Sequence, residues 1–94
     1  MKVNFNQNLK NLLGEDLTEQ GKKVSLKDIC SSALANKTEG NSLDKQKAYK
    51  LAVDIAKSTG DVEVTAEDVS LIKKELGGFP AIYCGQACEM LEGN

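Results

Sequence analysis

Cys30, Cys84 and Cys88 are the side chains of this sequence best suited to chemistry, and no histidine is present to assist them. Cys84 and Cys88 are one helical turn apart. With Cys30 brought in from another helix, the three thiolates would form part of a zinc site. A structural zinc takes four ligands, usually Cys or His in Cys-x-x-Cys knuckles, so a carboxylate or a second copy of the chain would have to complete the shell. The plainer reading makes all three cysteines small apolar residues on core faces. On that reading neither a metal nor a cofactor is expected.

Without histidine the commonest general base is missing, and a cysteine nucleophile would need some other activator. The carboxylate pairs Glu15-Asp16 and Glu67-Asp68 are adjacent in sequence, which on a helix points them in different directions. They read as turn residues and first-turn helix residues. Gly77-Gly78 is a helix stop, since no Gly-x-x-x-x-Gly-Lys phosphate loop follows a strand. A calcium loop fails on its ligands: aligning Val64 or Val24 with the apolar position puts Lys57 or Leu17 in the first ligand place and Val62 or Lys22 where glycine belongs. No catalytic residue is assigned, and the protein is expected not to be an enzyme.

The elements that would position these residues are mostly helices. Leu26, Ile29, Cys30, Ala33 and Leu34 line one face of a helix capped by Ser25, with Asp28 closing an approximate capping box. A polar linker over residues 36–42 leads to the clearest helix, Leu43 to Ser58, with Ala48, Leu51, Ala52, Ile55 and Ala56 on one face. Lys50, Asp54 and Lys57 on its other face are spaced to pair, and Gly60 is the expected stop. Thr65 caps a third helix with Asp68 at the third position and Val69, Ile72 and Leu76 as its stripe. Pro80 opens a fourth helix, where a missing N–H costs least, with Ala81, Cys84, Ala87, Cys88 and Leu91 on one side.

The N-terminal quarter is less regular. Val3 to Asn6 alternates apolar and polar, Leu9, Leu12 and Leu13 follow, and a turn at Gln20-Gly21 points to a small hairpin returning through Lys22 to Val24. A helix over Gln7 to Leu13 is the competing assignment. Val24-Ser25-Leu26-Lys27-Asp28-Ile29 and Val64-Thr65-Ala66-Glu67-Asp68-Val69 echo one another, which suggests two equivalent strand-into-helix corners with Val24 and Val64 paired. The expectation is a mostly α, small α+β fold of three to four short helices with a small N-terminal β-hairpin, one domain over residues 1–94.

Composition narrows the functional classes. The aromatic share is 4%, so Leu, Ile, Val and Ala must build the core, which favours helices over a β-sandwich. The net charge of −2, from 12 basic and 14 acidic residues interspersed along the chain, lacks the basic excess that phosphate contacts need, so nucleic acid is not an expected partner. No apolar run reaches membrane-span length, and Met1-Lys2-Val3-Asn4 lacks the apolar centre of a signal peptide. Three cysteines are too few for a disulfide scaffold, so a cytoplasmic setting is expected.

What remains is contact. Gly78 to Tyr83 holds two of the four aromatics beside a helix start, and aromatics concentrate at interface centres, although Phe79 would equally serve to plug the end of the core. Phe79, Pro80, Ile82, Tyr83, Gln86 and Met90 are taken as the candidate protein-contact residues. The segments Tyr49-Lys50-Leu51-Ala52-Val53-Asp54-Ile55, residues 64–74, Gly85-Gln86-Ala87 and Leu91-Glu92-Gly93 resemble short proteins of tailed phages and prophages. That resemblance implies a phage or prophage origin and a cytoplasmic setting in a host cell, and it transfers no site residue. The expected function is a non-enzymatic phage accessory protein binding a host or phage partner; a structural or assembly component working as a homo-oligomer is the alternative.

Overall fold

The computed structural model describes residues 1–93. In chain order its elements are β1 (Lys2–Asn4), β2 (Thr18–Glu19), β3 (Lys22–Lys23), α1 (Leu26–Ala35), α2 (Ser42–Ala56), β4 (Asp61–Glu63), α3 (Ala66–Leu76) and α4 (Ala81–Leu91). This is a small α+β fold in which α1 lies centrally and packs on α2, α3 and α4.

Local chemistry sets the helix starts. Ser25 Oγ accepts the Asp28 N–H at 3.2 Å while Asp28 accepts the Ser25 N–H at 3.3 Å. Thr65 and Asp68 make the same reciprocal pair at 3.0 and 2.9 Å. Each box satisfies two backbone donors that the first helical turn would otherwise leave orphaned. Asn41 caps α2 by accepting from the Asp44 N–H, which places the start one residue before the expected Leu43. Its end also comes early. The helix closes at Ala56 with Lys57 as C-cap, and Gly60 belongs to the turn leading into β4. Pro80 sits at the N-cap of α4, one place earlier than expected. Its ring offers no side-chain cap, and its carbonyl accepts from Tyr83 and Cys84, both at 3.0 Å.

The expected hairpin is present, with β2 and β3 paired antiparallel as Thr18↔Lys23 and Glu19↔Lys22. Its turn residues, Gln20 (φ 51) and Gly21 (φ 80), both take positive φ. That matches the tight-turn geometry whose twist suits a hairpin, and it explains glycine at the second place. The competing helix over Gln7 to Leu13 does not form; the segment threads through the isolated bridges Asn8↔Ser25 and Lys10↔Asp16 instead.

The two echoing corners are equivalent in their caps but do not pair with each other. β1 and β4 pair antiparallel in the register Val3↔Val62, and the Val64 N–H donates to the Met1 carbonyl at 2.8 Å. Val24 donates to Leu17 and accepts from Leu9, so its backbone groups are taken within the N-terminal region. Nor do Lys50, Asp54 and Lys57 pair; the ion pairs among the described residues lie elsewhere.

One apolar core holds the elements together. Phe5, Leu9, Leu26, Leu34, Ile55, Ile72, Leu76 and Leu91 are its largest fully buried side chains. The expected stripes of α1 and α3 are all buried. On α2 only Ala56 of the expected face is exposed, and on α4 only Ala87 and Leu91 are fully buried. No helix of the described residues is long and apolar enough to cross a membrane.

Candidate protein-contact site

The six residues expected to face a partner are divided by the fold. Gln86 is taken up internally: its Oε1 accepts the Lys10 N–H at 2.7 Å and its Nε2 donates to the Lys10 carbonyl at 2.6 Å. The same nitrogen reaches the Ile82 carbonyl at 2.9 Å, so the side chain is held on its own helix while it holds Lys10. Tyr83 donates its hydroxyl to the Glu19 carboxylate of the hairpin and meets Phe79 edge to face, with ring centroids 6.4 Å apart. Half-buried Met90 lines a recess of about 760 Å3 together with Val3, Val69 and Lys73. Pro80 is exposed and Ile82 half-buried.

Two of the α4 residues expected to face a partner are therefore engaged by the chain's own N-terminal arm. Lys10 is fastened to Gln86 and Glu19 to Tyr83, so the arm is anchored along the helix at successive turns. Phe79 and Tyr83 also form one wall of a cleft of about 330 Å3, with Val24 and Ile29 as apolar lining and Lys22, Lys23, Glu19 and Asp28 around it.

What the anchored arm carries outward is more telling. Leu12 is 93% exposed and Leu13 84% exposed, the largest values among the exposed large apolar residues described. They stand at the tip of a loop that is itself well ordered by hydrogen bonds. Asn11 donates its N–H to the Glu15 carbonyl at 2.8 Å and accepts Gly14 N–H on its own carbonyl at 3.0 Å. The Asn11 Oδ1 takes the N–H groups of Leu13 and Glu15 at 2.9 and 3.1 Å. An asparagine that bonds the backbone a few residues ahead fixes a turn without help from a core.

Charge closes the base of this loop. Asp16 bonds to Lys10 and lies 3.2 Å from Lys23. The Lys10 and Lys23 ammonium groups hold its carboxyl below the usual carboxylate range. The tip is thus two uncovered leucines on a preformed turn, tied at its neck by an ionic cluster and to α4 by Gln86. Leu9, Leu12 and Leu13 look alike in the sequence; the fold buries the first and turns the other two to solvent.

Of the three cysteines expected on core faces, Cys30 lies in the core, while Cys84 and Cys88 are half-buried against it. Cys30 is fully buried, and burial, aided by the nearby Cys88, pushes its thiol up to about 12. Burial and then Cys84 raise that of Cys88. The Cys84 and Cys88 sulfurs are 4.0 Å apart and all three thiols are free. Among the described residues, no group of three Cys, Asp or Glu side chains is placed to hold a metal ion.

No family model matches the chain, and no match was found among curated proteins or solved structures.

Proposed function

We propose that the protein works by binding another protein, without catalysis, and that the Leu12–Leu13 tip makes the contact. The observation that supports this reading is the near-complete exposure of two adjacent leucines on an ordered turn. Burying each would release about 1.5–3 kcal/mol of hydrophobic free energy. The turn is already formed, so little ordering entropy opposes docking. Scattered single apolar residues are normal on surfaces, but a contiguous pair on a stiffened projection is the form an interface anchor takes.

In this reading α4 is the support of the contact. Gln86 and Tyr83 hold the arm in place, and the Phe79–Tyr83 cleft lies beside the hairpin that forms part of the same unit. The interspersed charge and the net value of −2 favour a protein partner over nucleic acid. The phage or prophage setting implied by the resemblance makes this an accessory protein acting in the host cytoplasm.

A photo-crosslinking amino acid placed at Leu12 tests the proposal in cells. Irradiation is expected to give a covalent protein adduct that vanishes with Leu13→Asp and is not formed from the same group at Lys47. Absence of any adduct at position 12 would refute the contact.

A further inference from the structure

We propose that the Leu12–Leu13 tip of one molecule docks into the cleft between α1 and α2 of a second copy, so that the chain assembles head to tail. The inference rests on the contact reading above and names its partner.

The cleft is the apolar counterpart of the tip. It has a volume of about 260 Å3 and is lined by Ser32 and Ala35 of α1 and by Tyr49, Val53 and Ala56 of α2. Removing one large side chain from a core leaves a dry cavity of roughly 150 Å3, so this open groove has room to seat a leucine side chain. Its walls are small residues apart from Tyr49, which is 66% exposed and stands ready to lie against an incoming aliphatic group. Leu12 and Leu13 are exposed, so neither occupies the cleft of its own chain.

The charges also match. Lys45 lies one turn before Tyr49 on α2, and Lys57, the C-cap of that helix, directly follows the lining residue Ala56. Both are exposed, and neither is in an ion pair among the described residues. The tip brings Glu15, exposed and two residues from Leu13, while the neighbouring Asp16 is already occupied by Lys10 and Lys23. Glu15 of one copy therefore meets lysines of the next that form no ion pair among the described residues of their own chain.

Tip and cleft are different surfaces of one molecule, which makes the contact heterologous. Such a contact leaves a free tip at one end and a free cleft at the other, and it propagates into a closed ring or an open filament.

Sedimentation of the full chain over a range of concentrations tests this. The wild type is expected to exceed the 10.1 kDa monomer progressively as concentration rises. Leu12→Asp with Leu13→Asp removes the tip, and Ala56→Glu fills the exposed end of the cleft with a charge that repels Glu15. Each variant alone is expected to stay monomeric with an unchanged circular dichroism spectrum. Mixed together, they retain one intact tip and one intact cleft, so they should form a 1:1 dimer and nothing larger. Glu15→Lys, which leaves the leucines in place, should weaken association by about tenfold and reduce its sensitivity to salt. A wild type that is monomeric at every concentration overturns the inference, as does an Ala56→Glu variant that still associates. A position-12 adduct to some other protein, from a monomeric wild type, would retain the contact reading and refute self-assembly. A monomer that gives no adduct loses both.

Discussion

Gln86 grips the backbone of Lys10 across 76 positions of sequence, accepting from its N–H and donating to its carbonyl. A side-chain amide can satisfy both halves of a peptide edge, since it carries an acceptor and donors in the same plane. Replacing it with a leucine of similar size removes both bonds. At about 0.5–1.5 kcal/mol for each bond, Gln86→Leu should cost about 1–3 kcal/mol in urea denaturation and raise amide exchange over residues 10–16. Gln86→Glu keeps only the acceptor and turns a carboxylate towards the Lys10 carbonyl, so at neutral pH it should be no better than leucine. An unchanged unfolding midpoint in both variants would show that the grip contributes nothing.

Lys37 and Glu75 tie the segment after α1 to α3 at 3.0 Å, with side chains only 5% and 11% exposed. A buried ion pair offsets a large desolvation penalty only while both members are present. Lys37→Met alone leaves a nearly buried carboxylate without its counter-charge and is expected to lower stability by about 3–5 kcal/mol. Combining it with Glu75→Leu should recover most of that loss, because two apolar groups of similar volume need no compensation. Thermal melts of the two single variants and the double variant close the cycle. Single-variant losses that simply add in the double variant would mean the two charges do not interact.

How far the sequence foretold this molecule depended on the range of the interaction. Ser25 with Asp28 and Thr65 with Asp68 are legible because a capping box is complete within four residues, and Gln20-Gly21 because a tight turn is too. The pairing of Val3 with Val62 was not, since three-residue strands carry no period that names a partner. Nor could spacing distinguish Leu9 from Leu12 and Leu13. What separates them is the set of backbone bonds that draws Leu9 towards Leu17 and Val24 while the Asn11 turn projects the others. The choice of Phe79 to Met90 as the outward surface failed to anticipate Gln86 and Tyr83 being used by the N-terminal arm, because both bonds span more than 60 residues.

The ionic neck of the loop should be visible in a titration. Lys10 contributes most to lowering the Asp16 carboxyl, with Lys23 second, so the folded group ionises at a lower pH than it does in the unfolded chain. A depressed folded value means the pair's contribution is intact above the unfolded pKa and is lost as pH falls through the folded one. Carboxyl-carbon NMR is expected to give Asp16 a midpoint below the ordinary aspartate value. Lys10→Met should raise it, and by more than Lys23→Met does. Equal midpoints in all three proteins would remove the ionic neck from the account.

Cys30 reverses that direction. Its thiol ionises near 12 in the folded protein against an ordinary 9.0, because burial penalises the thiolate. With the folded value raised, the thiol's contribution is complete below the unfolded pKa and is lost as pH climbs from about 9 towards 12. Under reducing conditions the wild type should therefore lose more stability between pH 7.5 and 10 than Cys30→Ala does. The comparison with that variant subtracts every ionisable group that the two proteins share. Alkylation should follow the same order, with the half-buried Cys84 and Cys88 modified in the native state and Cys30 only on unfolding. Equal alkaline slopes for wild type and Cys30→Ala, or native-state labelling of Cys30 at the rate of the other two, would place that sulfur in water and contradict the packing of α1 against α4.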